Sequence, residues 1–234
     1  MDPSLSADIL KIANSAGYIT SKRIESINEA IMIIGLNSVQ SILTVAASRT
    51  IIEKRYKRYE EIWSHCNKTA FYAKNLAVDK GFGKLADKAF VAGLLHDMGR
   101  IVLLSISPDL SKEIMNMLNL KNANSSNIIE ELTIGVSHTD IGADIAVKWN
   151  FPEYLIEALR YHHSPLMEEV QFKDTLAIVY LANIMSNVEL NKVDYPYIEE
   201  ALIKKFNFKN FEAVEFYHNR LLEKYQFHLE TIRL

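Results

Sequence analysis

The chain has 234 residues, of which 49% are apolar and 24% are charged, and its formal net charge is −3. These values argue against a disordered or collagen-like protein and against a surface built for nucleic-acid backbones, so we expect no nucleic-acid partner. Cys66 is the single cysteine, and no apolar run approaches the roughly 18 residues of a membrane span. Because the first residues also lack the basic and apolar regions of a signal peptide, we expect a cytoplasmic protein without a membrane partner.

The apolar residues recur with helical periodicity, and alternating runs of β-branched residues are few. We therefore predict an all-α fold in three parts. Residues 1–58 form a small N-terminal helical part, residues 59–190 a larger helical core, and residues 191–234 helices that pack on this core. The first boundary lies near the charge run "KRYKRYEE", which is typical of a solvated turn or helix face.

The first half of the chain contains a series of amphipathic helices. The segment "DPSLSADILKIANSA" places its apolar residues on one face, and "SINEAIMIIGL" follows it. In this second helix Ser26 and Glu29 have the spacing of a capping box, and Gly35 indicates the end. A longer helix begins near Asn37, and another covers residues 59–78 and ends before the glycines of "DKGFGK".

The second half begins with a buried helix that ends in "VAGLLHDMGR", residues 91–100, where a histidine and an aspartate follow an apolar run. Two short helices, "SPDLSKEIMNMLNL" and "NSSNIIEEL", are joined by the polar loop "KNANSSN". Further helices cover residues 138–149, 152–163 and 174–188, with Pro152 in a first helical turn. Two amphipathic helices end the chain, and the last is a candidate dimerisation helix, although such helices more often pack on their own domain.

Five of the seven histidines lie in the predicted helical segments: His65, His96, His138, His162 and His163. Their long spacings exclude a zinc finger, but the helices of a bundle can bring such side chains together. Taken singly, each is more often an ordinary residue satisfied by one hydrogen bond, yet burying five without a shared purpose would cost desolvation energy at each ring. We therefore predict that they converge with Asp97, a donor set that suits iron, manganese or zinc. Glu61 precedes His65 by one helical turn and shares its helix face.

The order of these residues resembles the ligand series of the HD superfamily of metal-dependent phosphohydrolases, including its HD-GYP branch. Five segments together resemble the HDOD domain, a signalling relative of that branch: "DPSLSADILKIANSA", "RIESINEAIMIIGLNSVQSIL", "FVAGLLHDMGRIVL", "GVSHTDIGADIAVKWNFPEYLIEALRYHHSP" and "LAIVYLANIMS". The resemblance covers roughly residues 2–190. It implies a multi-helix bundle of the HD type with a small N-terminal helical subdomain.

The resemblance also implies a two-metal site in which Asp97 bridges both ions. The other ligands would be His65 and His96 for one metal, and His138, His162 and His163 for the other. Glu61 matches an additional carboxylate ligand of some HD-GYP proteins. Arg100 stands where HD-GYP proteins commonly have lysine, and it keeps a cation that can meet a substrate phosphate, with a different geometry. Two metal ions would hold a hydroxide and stabilise phosphoryl displacement, with Asp97 and Arg100 as the catalytic residues.

Two departures from the superfamily pattern argue against hydrolysis. The last ligand of the superfamily, an aspartate, corresponds to Asn183, whose neutral amide is a poor ligand for the metal at His65 and His96. The segment "HHSPLMEEV" also lacks the glycine and tyrosine of the GYP loop, which opposes activity on cyclic dinucleotides.

The N-terminus is a further departure. HDOD domains usually carry additional helices before the "DP" motif, which is Asp2 and Pro3 in this chain. The apolar face that these helices would cover is therefore a candidate contact surface.

The sequence therefore favours a bacterial HDOD-type signalling domain that acts by protein–protein interaction, retains one or two divalent transition-metal ions and has no robust hydrolysis. Its expected partners are signalling proteins, a nucleotide or other phosphate-containing ligand, and a second copy of the chain. The alternative is a working metal-dependent phosphohydrolase, either a phosphodiesterase or a nucleotidase. A third interpretation, a scaffold with relic histidines, predicts no bound metal.

Five further residues are interpreted as structural. Trp63 and Trp149 are expected to fill the core, and Cys66 is expected to be an inert, packed thiol. His218 and His228 lie outside the series of motifs, and we expect them to be surface or capping residues.

Overall fold

The structure of the protein, a computed structural model, describes residues 10, 13, 24–55, 60–106, 126–190 and 193–233. All regular elements in this part of the chain are helical, which confirms the predicted all-α fold. The helices are α1 (Ile27–Ile34), α2 (Leu36–Arg55), α3 (Glu60–Asp79), α4 (Ala86–Leu95), α5 (Met98–Ile106), α6 (Ser126–Ile134), α7 (His138–Lys148), α8 (Glu153–Tyr161), α9 (Lys173–Glu189), α10 (Glu200–Lys205) and α11 (Phe211–Arg233). Two 3₁₀ turns, Gly83–Leu85 and Tyr195–Tyr197, precede α4 and α10.

Some predicted features lie outside the described residues. They include most of the first helix, most of the segment from "SPDLSKEIMNMLNL" through the loop "KNANSSN", and the side chain of His228. The division of the chain after residues 58 and 190 stays a prediction, because residues 56–59 and 191–192 are also outside the described part.

Helix α1 begins and ends at the predicted residues. The Ser26 hydroxyl accepts a hydrogen bond from the Glu29 N–H at 3.1 Å, and the Glu29 carboxylate accepts one from the Glu25 N–H at 2.8 Å. Together these bonds fix the start of the helix. Gly35 ends α1 with a φ of +85°, a left-handed conformation that favours glycine.

Two groups of buried apolar side chains hold the helices together. One group joins α1 and α2 to α3, α4, α5 and α8 and includes Ile42, Trp63 and Leu95. The other joins α3, α4 and α9 to α10 and α11 and includes Leu76 and Phe206. Since α3 and α4 contribute to both groups, they form the centre of the fold, and the other helices that carry histidines pack around them.

The two tryptophans and the cysteine pack as expected. Trp63 and Cys66 are buried, and Trp149 is partly buried. Burial raises the pKa of the Cys66 thiol, which keeps the thiol in its unreactive protonated form.

A buried polar cluster attaches α11 to the core. His218 is only 1% exposed, so the expectation of a surface or capping histidine is wrong. Its Nδ1 lies 2.7 Å from the hydroxyl of Tyr195, and its Nε2 lies 3.0 Å from Oε1 of Glu189. Tyr72 and Lys68 of α3 donate hydrogen bonds to the same carboxylate. The histidine is buried because residues far away in the sequence satisfy both of its ring nitrogens.

Helices α5 and α7 cross at two glycines. A Cβ atom placed on Gly99 would lie 2.0 Å from the carbonyl oxygen of His138 and 2.5 Å from the backbone nitrogen of Gly142. Both of these atoms belong to the backbone, so neither can move aside without displacing a helix. The absence of a side chain at Gly99 therefore lets the start of α7 approach the α4–α5 turn and brings His138 within reach of Asp97.

We expect the Gly99→Ala substitution to lower the free energy of unfolding by about 3 kcal/mol, because the added methyl group forces α5 and α7 apart. Urea unfolding followed by circular dichroism measures this change. Gly83→Ala is the control, since a Cβ at Gly83 meets nothing within 4 Å, and its effect should stay below about 1 kcal/mol. Equal stability of Gly99→Ala and the wild type would contradict the close crossing.

Candidate metal centre

The turn between α4 and α5 carries the histidine and aspartate of "VAGLLHDMGR". Most of α4 is apolar and buried, so the turn that follows it lies inside the protein. His96 is 0% and Asp97 is 2% exposed. A buried carboxylate needs compensating charges or hydrogen bonds, so the surroundings of Asp97 determine what the site can do.

Each carboxylate oxygen of Asp97 faces a different pair of imidazoles. Oδ1 lies 3.2 Å from Nε2 of His138 and 3.6 Å from Nε2 of His162. Oδ2 lies 3.7 Å from Nε2 of His96 and 3.9 Å from Nε2 of His65. These residues come from α3, the α4–α5 turn, the start of α7 and the end of α8, so their convergence depends on the packing of the whole bundle.

The potential ligand atoms form two groups that share Asp97, and within each group all atoms lie within 4.8 Å of one another. One group contains Asp97, His138, His162 and His163, and the other contains His65, His96 and Asp97. This is the division that the resemblance implied, although the ligand roles themselves stay predictions. Glu61 is exposed, one helical turn before His65, and neither group of described residues includes it.

Two of the buried histidines are oriented by backbone carbonyls. Nδ1 of His96 lies 2.8 Å from the carbonyl oxygen of Gly93, and Nδ1 of His162 lies 3.0 Å from that of Leu159. Since a carbonyl oxygen can only accept, each Nδ1 carries a proton, and the neutral ring presents the lone pair of Nε2 to Asp97. Metal-binding histidines commonly have this arrangement.

Three buried atoms of the two ligand groups have no hydrogen-bond partner within the described part of the chain. They are Nε2 of His96, Nε2 of His163 and Oδ1 of Asp97. An unpaired buried polar atom costs about 1–3 kcal/mol. A cation would be attracted to the lone pairs of both nitrogens and to the carboxylate, so this donor set fits a divalent transition metal such as iron, manganese or zinc.

Arg100 supplies a positive charge beside Asp97. Its Nη1 donates a hydrogen bond to Oδ2 of Asp97 at 2.8 Å, and its Nη2 lies 3.3 Å from both ring nitrogens of His138. Its Nε lies 3.5 Å from Oε1 of Glu130. The guanidinium group therefore contacts two buried carboxylates, and it lies within the centre where the resemblance implied a phosphate-binding cation.

Asn183, which the resemblance predicts to correspond to the last ligand of the superfamily, contacts His65. Its Oδ1 lies 2.9 Å from Nε2 of His65 and accepts a hydrogen bond from Nδ2 of Asn187 at 2.9 Å. The Ser186 hydroxyl lies 3.0 Å from Nδ1 of the same histidine. Since an amide oxygen can only accept, Nε2 of His65 carries a proton here, and its lone pair is not available to a metal.

Burial and neighbouring charges shift the pKa values of the site residues. Burial lowers the pKa of His96 to about 4, and it also lowers the pKa values of His162 and His163. Burial alone would raise the pKa of Asp97, but Arg100 and His96 hold it well below its usual range. The aspartate is therefore ionised while these three rings are neutral, which is the protonation state that metal binding requires.

Glu130 is a residue of the site that the sequence reasoning missed. Its side chain is fully buried, and its Oε2 accepts a hydrogen bond from the His138 N–H at 2.8 Å and lies 2.6 Å from Nδ1 of His138. Burial and Arg100 lower the pKa of His138, but Glu130 and Asp97 raise it, and the net shift is upward. No sequence signal separates Glu130 from Glu131, its exposed neighbour in "NIIEEL", because only tertiary packing buries one of them.

Comparison with known sequences identifies the family. The profile of the HDOD domain family matches residues 1–165. An uncharacterized protein of Treponema pallidum (strain Nichols) is 26% identical over 209 residues, which is 89% of this chain and 40% of that protein. The chain thus spans about two fifths of the length of this curated relative.

Three solved structures share the fold. An HDOD domain protein of unknown function from Geobacter sulfurreducens has a TM-score of 0.74 at 22% identity, over 97% of this chain and 82% of that chain. A protein from Marinobacter aquaeolei VT8, provisionally named a signal transduction protein, has a TM-score of 0.74 at 20% identity, over 98% and 52%. A protein from Shewanella amazonensis SB2B, provisionally named a metal-dependent phosphohydrolase, has a TM-score of 0.57 at 19% identity, over 96% and 81%.

The fold and the site define an all-α domain with a histidine and aspartate cluster that could bind metal. The chain belongs to the HDOD domain family, because the family profile matches well over half of its residues. Among the helices that the structure describes, none has the length and apolar content needed to cross a membrane.

We expect the metal-free protein to lose stability as the pH falls from about 6.5 to about 4. In this range the unfolded chain takes up more protons at His96, His162 and His163 than the folded protein does, because burial lowers the pKa of each ring in the folded protein. Each additional proton on the unfolded chain lowers the free energy of unfolding by about 1.4 kcal/mol per pH unit. The raised pKa of His138 acts in the opposite direction and reduces the net slope.

Urea unfolding in the presence of a chelator, repeated across this pH range, measures the slope. The His96→Gln variant removes one of the depressed groups, so its slope should be smaller than that of the wild type. A wild-type stability that does not change between pH 6.5 and pH 4 would contradict the burial of neutral histidines.

Proposed function

We propose that this chain is a bacterial signal-transduction domain that acts by protein–protein interaction, holds a divalent transition-metal ion and has no robust hydrolysis. The observation that carries this proposal is the asymmetry of the two ligand groups around Asp97. In the group of His138, His162 and His163 the buried Nε2 of His163 has no hydrogen-bond partner among the described residues, whereas in the other group Nε2 of His65 is engaged by Asn183. The first group is suited to a metal ion, and the second is weakened.

The metal ion would be held by Asp97, His138, His162 and His163. Three imidazoles and one carboxylate favour iron, manganese or zinc over magnesium and calcium, which prefer oxygen ligands. When bound, such an ion acts as a Lewis acid toward a phosphate oxygen. The protein supplies the ionised aspartate and the neutral rings that this binding requires.

Asn183 weakens the second metal position in two ways. Its amide is neutral, so the second position has no anionic ligand of its own. The only carboxylate in the group of His65 and His96 is Asp97, which also belongs to the first position. Oδ1 of Asn183 is also engaged by Asn187 and His65. Two-metal phosphoryl transfer uses both ions, one at the attacking oxygen and one at the leaving oxygen, so a weak second position favours binding over turnover.

Arg100 is the residue that we propose contacts a nucleotide or another phosphate-containing ligand. Its side chain is 16% exposed, whereas the side chain of Asp97 beside it is 3% exposed. The planar guanidinium group can bind a phosphate through two parallel hydrogen bonds. Because Arg100 also pairs with Asp97, a ligand that draws the guanidinium away would change the charge balance of the metal centre.

Signalling proteins are the proposed partners, and a second copy of the chain is another candidate. The provisional name of the Marinobacter protein supports a signalling context. Helix α1 and the start of α2 expose Met32, Ile33 and Leu36, and the same helices share a buried apolar group with α4 and α5, which flank Asp97. We infer that changes at the centre reach the N-terminal helices through this shared core. The cytoplasmic location stays a prediction.

A metal-dependent phosphohydrolase, either a phosphodiesterase or a nucleotidase, is the second candidate. It is favoured by the convergence of all five histidines of the motifs on Asp97, with Arg100 in contact with the same carboxylate. The provisional name of the Shewanella protein points in the same direction. In this case Arg100 would hold the substrate phosphate, and both ligand groups, which share Asp97, would hold metal ions.

Protein purified without a metal-affinity tag should take up one divalent transition-metal ion per chain. The His163→Ala variant removes one of the four ligands and should lower the affinity at least about 10-fold. Elemental analysis measures the stoichiometry, and titration with zinc measures the affinity. His228→Ala in α11 is the control, because it also removes one imidazole. A wild type that binds no metal would support the relic interpretation instead.

The same metal-loaded protein distinguishes binding from catalysis. It should hydrolyse cyclic dinucleotides and nucleotides no faster than the Asp97→Ala variant. Turnover that disappears in Asp97→Ala would reject the binding proposal in favour of the phosphohydrolase.

Asn183→Asp should convert the weak position into a second metal site. The substitution restores an anionic oxygen ligand beside His65, so the second ion should bind at least about 10-fold more tightly and the stoichiometry should rise from one to two. Asn219→Asp makes the same change at an exposed position of α11 and should leave one ion per chain. An unchanged stoichiometry in Asn183→Asp would contradict the role proposed for Asn183.

A further inference from the structure

One fully buried acidic residue lies beside the metal centre without belonging to either ligand group. Glu130, in the middle of α6, has 0% exposure and contacts both His138 and Arg100. A carboxylate withdrawn from water is costly unless its oxygens have partners. Oε2 of Glu130 contacts the backbone N–H and the ring of His138, whereas Oε1 has only the ion pair with Arg100 at 3.5 Å. Glu130 is not a member of either ligand group, so its role in the centre needs a separate explanation.

We propose that Glu130 is a positioning residue of the metal centre, which holds the imidazole of His138 through Nδ1 so that Nε2 faces the metal ion. This inference rests on the proposed function, because it concerns the same metal position.

The contacts of Glu130 fix His138 at two points. Oε2 accepts a hydrogen bond from the backbone N–H of His138 at 2.8 Å and lies 2.6 Å from Nδ1 of its ring. The first contact anchors the start of α7, and the second sets the rotation of the imidazole. Nε2 then lies 3.2 Å from Oδ1 of Asp97 and 3.3 Å from Nε2 of His162. The ring is thus held between Glu130 on one side and the ligand atoms on the other.

The partner of His138 differs from the partners of the other oriented histidines. His96 and His162 use backbone carbonyls from the preceding turn of their own helices. His138 uses a carboxylate from another helix, so its orientation depends on the packing of α6 against α7. A charged acceptor at Nδ1 also increases the electron density on Nε2 and makes the ring a better metal ligand than a neutral acceptor would.

Glu130 restrains Arg100 as well. Its Oε1 lies 3.5 Å from Nε of the guanidinium, whose Nη1 donates to Asp97. Without Glu130 the positive charge of Arg100 would be balanced more strongly by Asp97, which the metal ion also needs. Loss of Glu130 therefore weakens metal binding through His138 and through Arg100 in the same direction.

Zinc titration of the whole chain against a competing chelator tests the proposal. We expect Glu130→Ala to weaken zinc binding about 10- to 100-fold, with Glu130→Gln intermediate because glutamine keeps a neutral acceptor for Nδ1. Glu131→Gln is the matched control, since it removes the same charge from an exposed position of the same helix, and it should change the affinity less than about twofold. If Glu130→Ala fails to fold, Glu130→Gln gives the comparison.

Nitrogen-edited NMR of the His138 side chain in the metal-free protein tests whether Glu130 acts on the ring, because a role through the backbone N–H of His138 alone would leave the Nδ1 signal unchanged. The wild type should show a protected Nδ1 proton that is hydrogen-bonded to Glu130. This signal should shift in Glu130→Gln and disappear in Glu130→Ala, and it should be unchanged in Glu131→Gln.

The outcomes separate this inference from the proposed function. Tight zinc binding by the wild type and equally tight binding by both Glu130 variants would overturn the inference and leave the metal site intact. A wild type that takes up no zinc would overturn the proposed function and, with it, the metal role of Glu130. Weak binding by the Glu130 variants with normal binding by Glu131→Gln supports the positioning role.

Discussion

The buried negative charge of Asp97 determines the arrangement of the residues around it. The carboxylate lies in a turn that follows the apolar helix α4, so water cannot stabilise its charge. Arg100 donates to one oxygen, and the ring nitrogens of His138 and His162 lie near the other. Because Arg100 is itself mostly buried, it needs a second anion, and Glu130 provides it. The burial of one acid thus requires a cation, and the burial of that cation requires another acid.

This arrangement depends on long-range packing rather than on local sequence. The ligand groups draw on α3, the α4–α5 turn, the start of α7 and the end of α8, so they combine residues that range from His65 to His163. The crossing at Gly99 and Gly142 sets the distance between Asp97 and His138, since backbone atoms touch there. A shift of about 1 Å at this crossing would misplace the ligand atoms, so two residues without side chains matter as much as the ligands themselves.

Much of the fold and of the site could be predicted from the sequence, and the missed residues share a physical cause. Helical periodicity predicted the helices, and the order of the histidines, together with the family resemblance, predicted which side chains would meet Asp97. Glu130 and His218 could not be predicted, because each is a polar residue on a helix face that becomes buried only through partners on other helices. Neither periodicity nor spacing contains that information. Ser186 belongs to the same class, since its hydroxyl matters only because α9 places it beside His65.

The charge balance of the metal-free centre bears on how the domain could signal. In small zinc domains the unpaired ligands repel one another, and the chain folds only when metal is bound. Here Arg100 already pairs with Asp97, and two large apolar groups hold the helices, so we expect the metal-free chain to fold. In the proposed function, an ion in the centre would compete with Arg100 for Asp97 and change the contacts of the guanidinium, while the apolar core would remain. The metal-bound and metal-free proteins would then both be folded and would differ in the position of Arg100, which is partly exposed. A binding switch requires two such forms, whereas a permanently loaded catalyst does not.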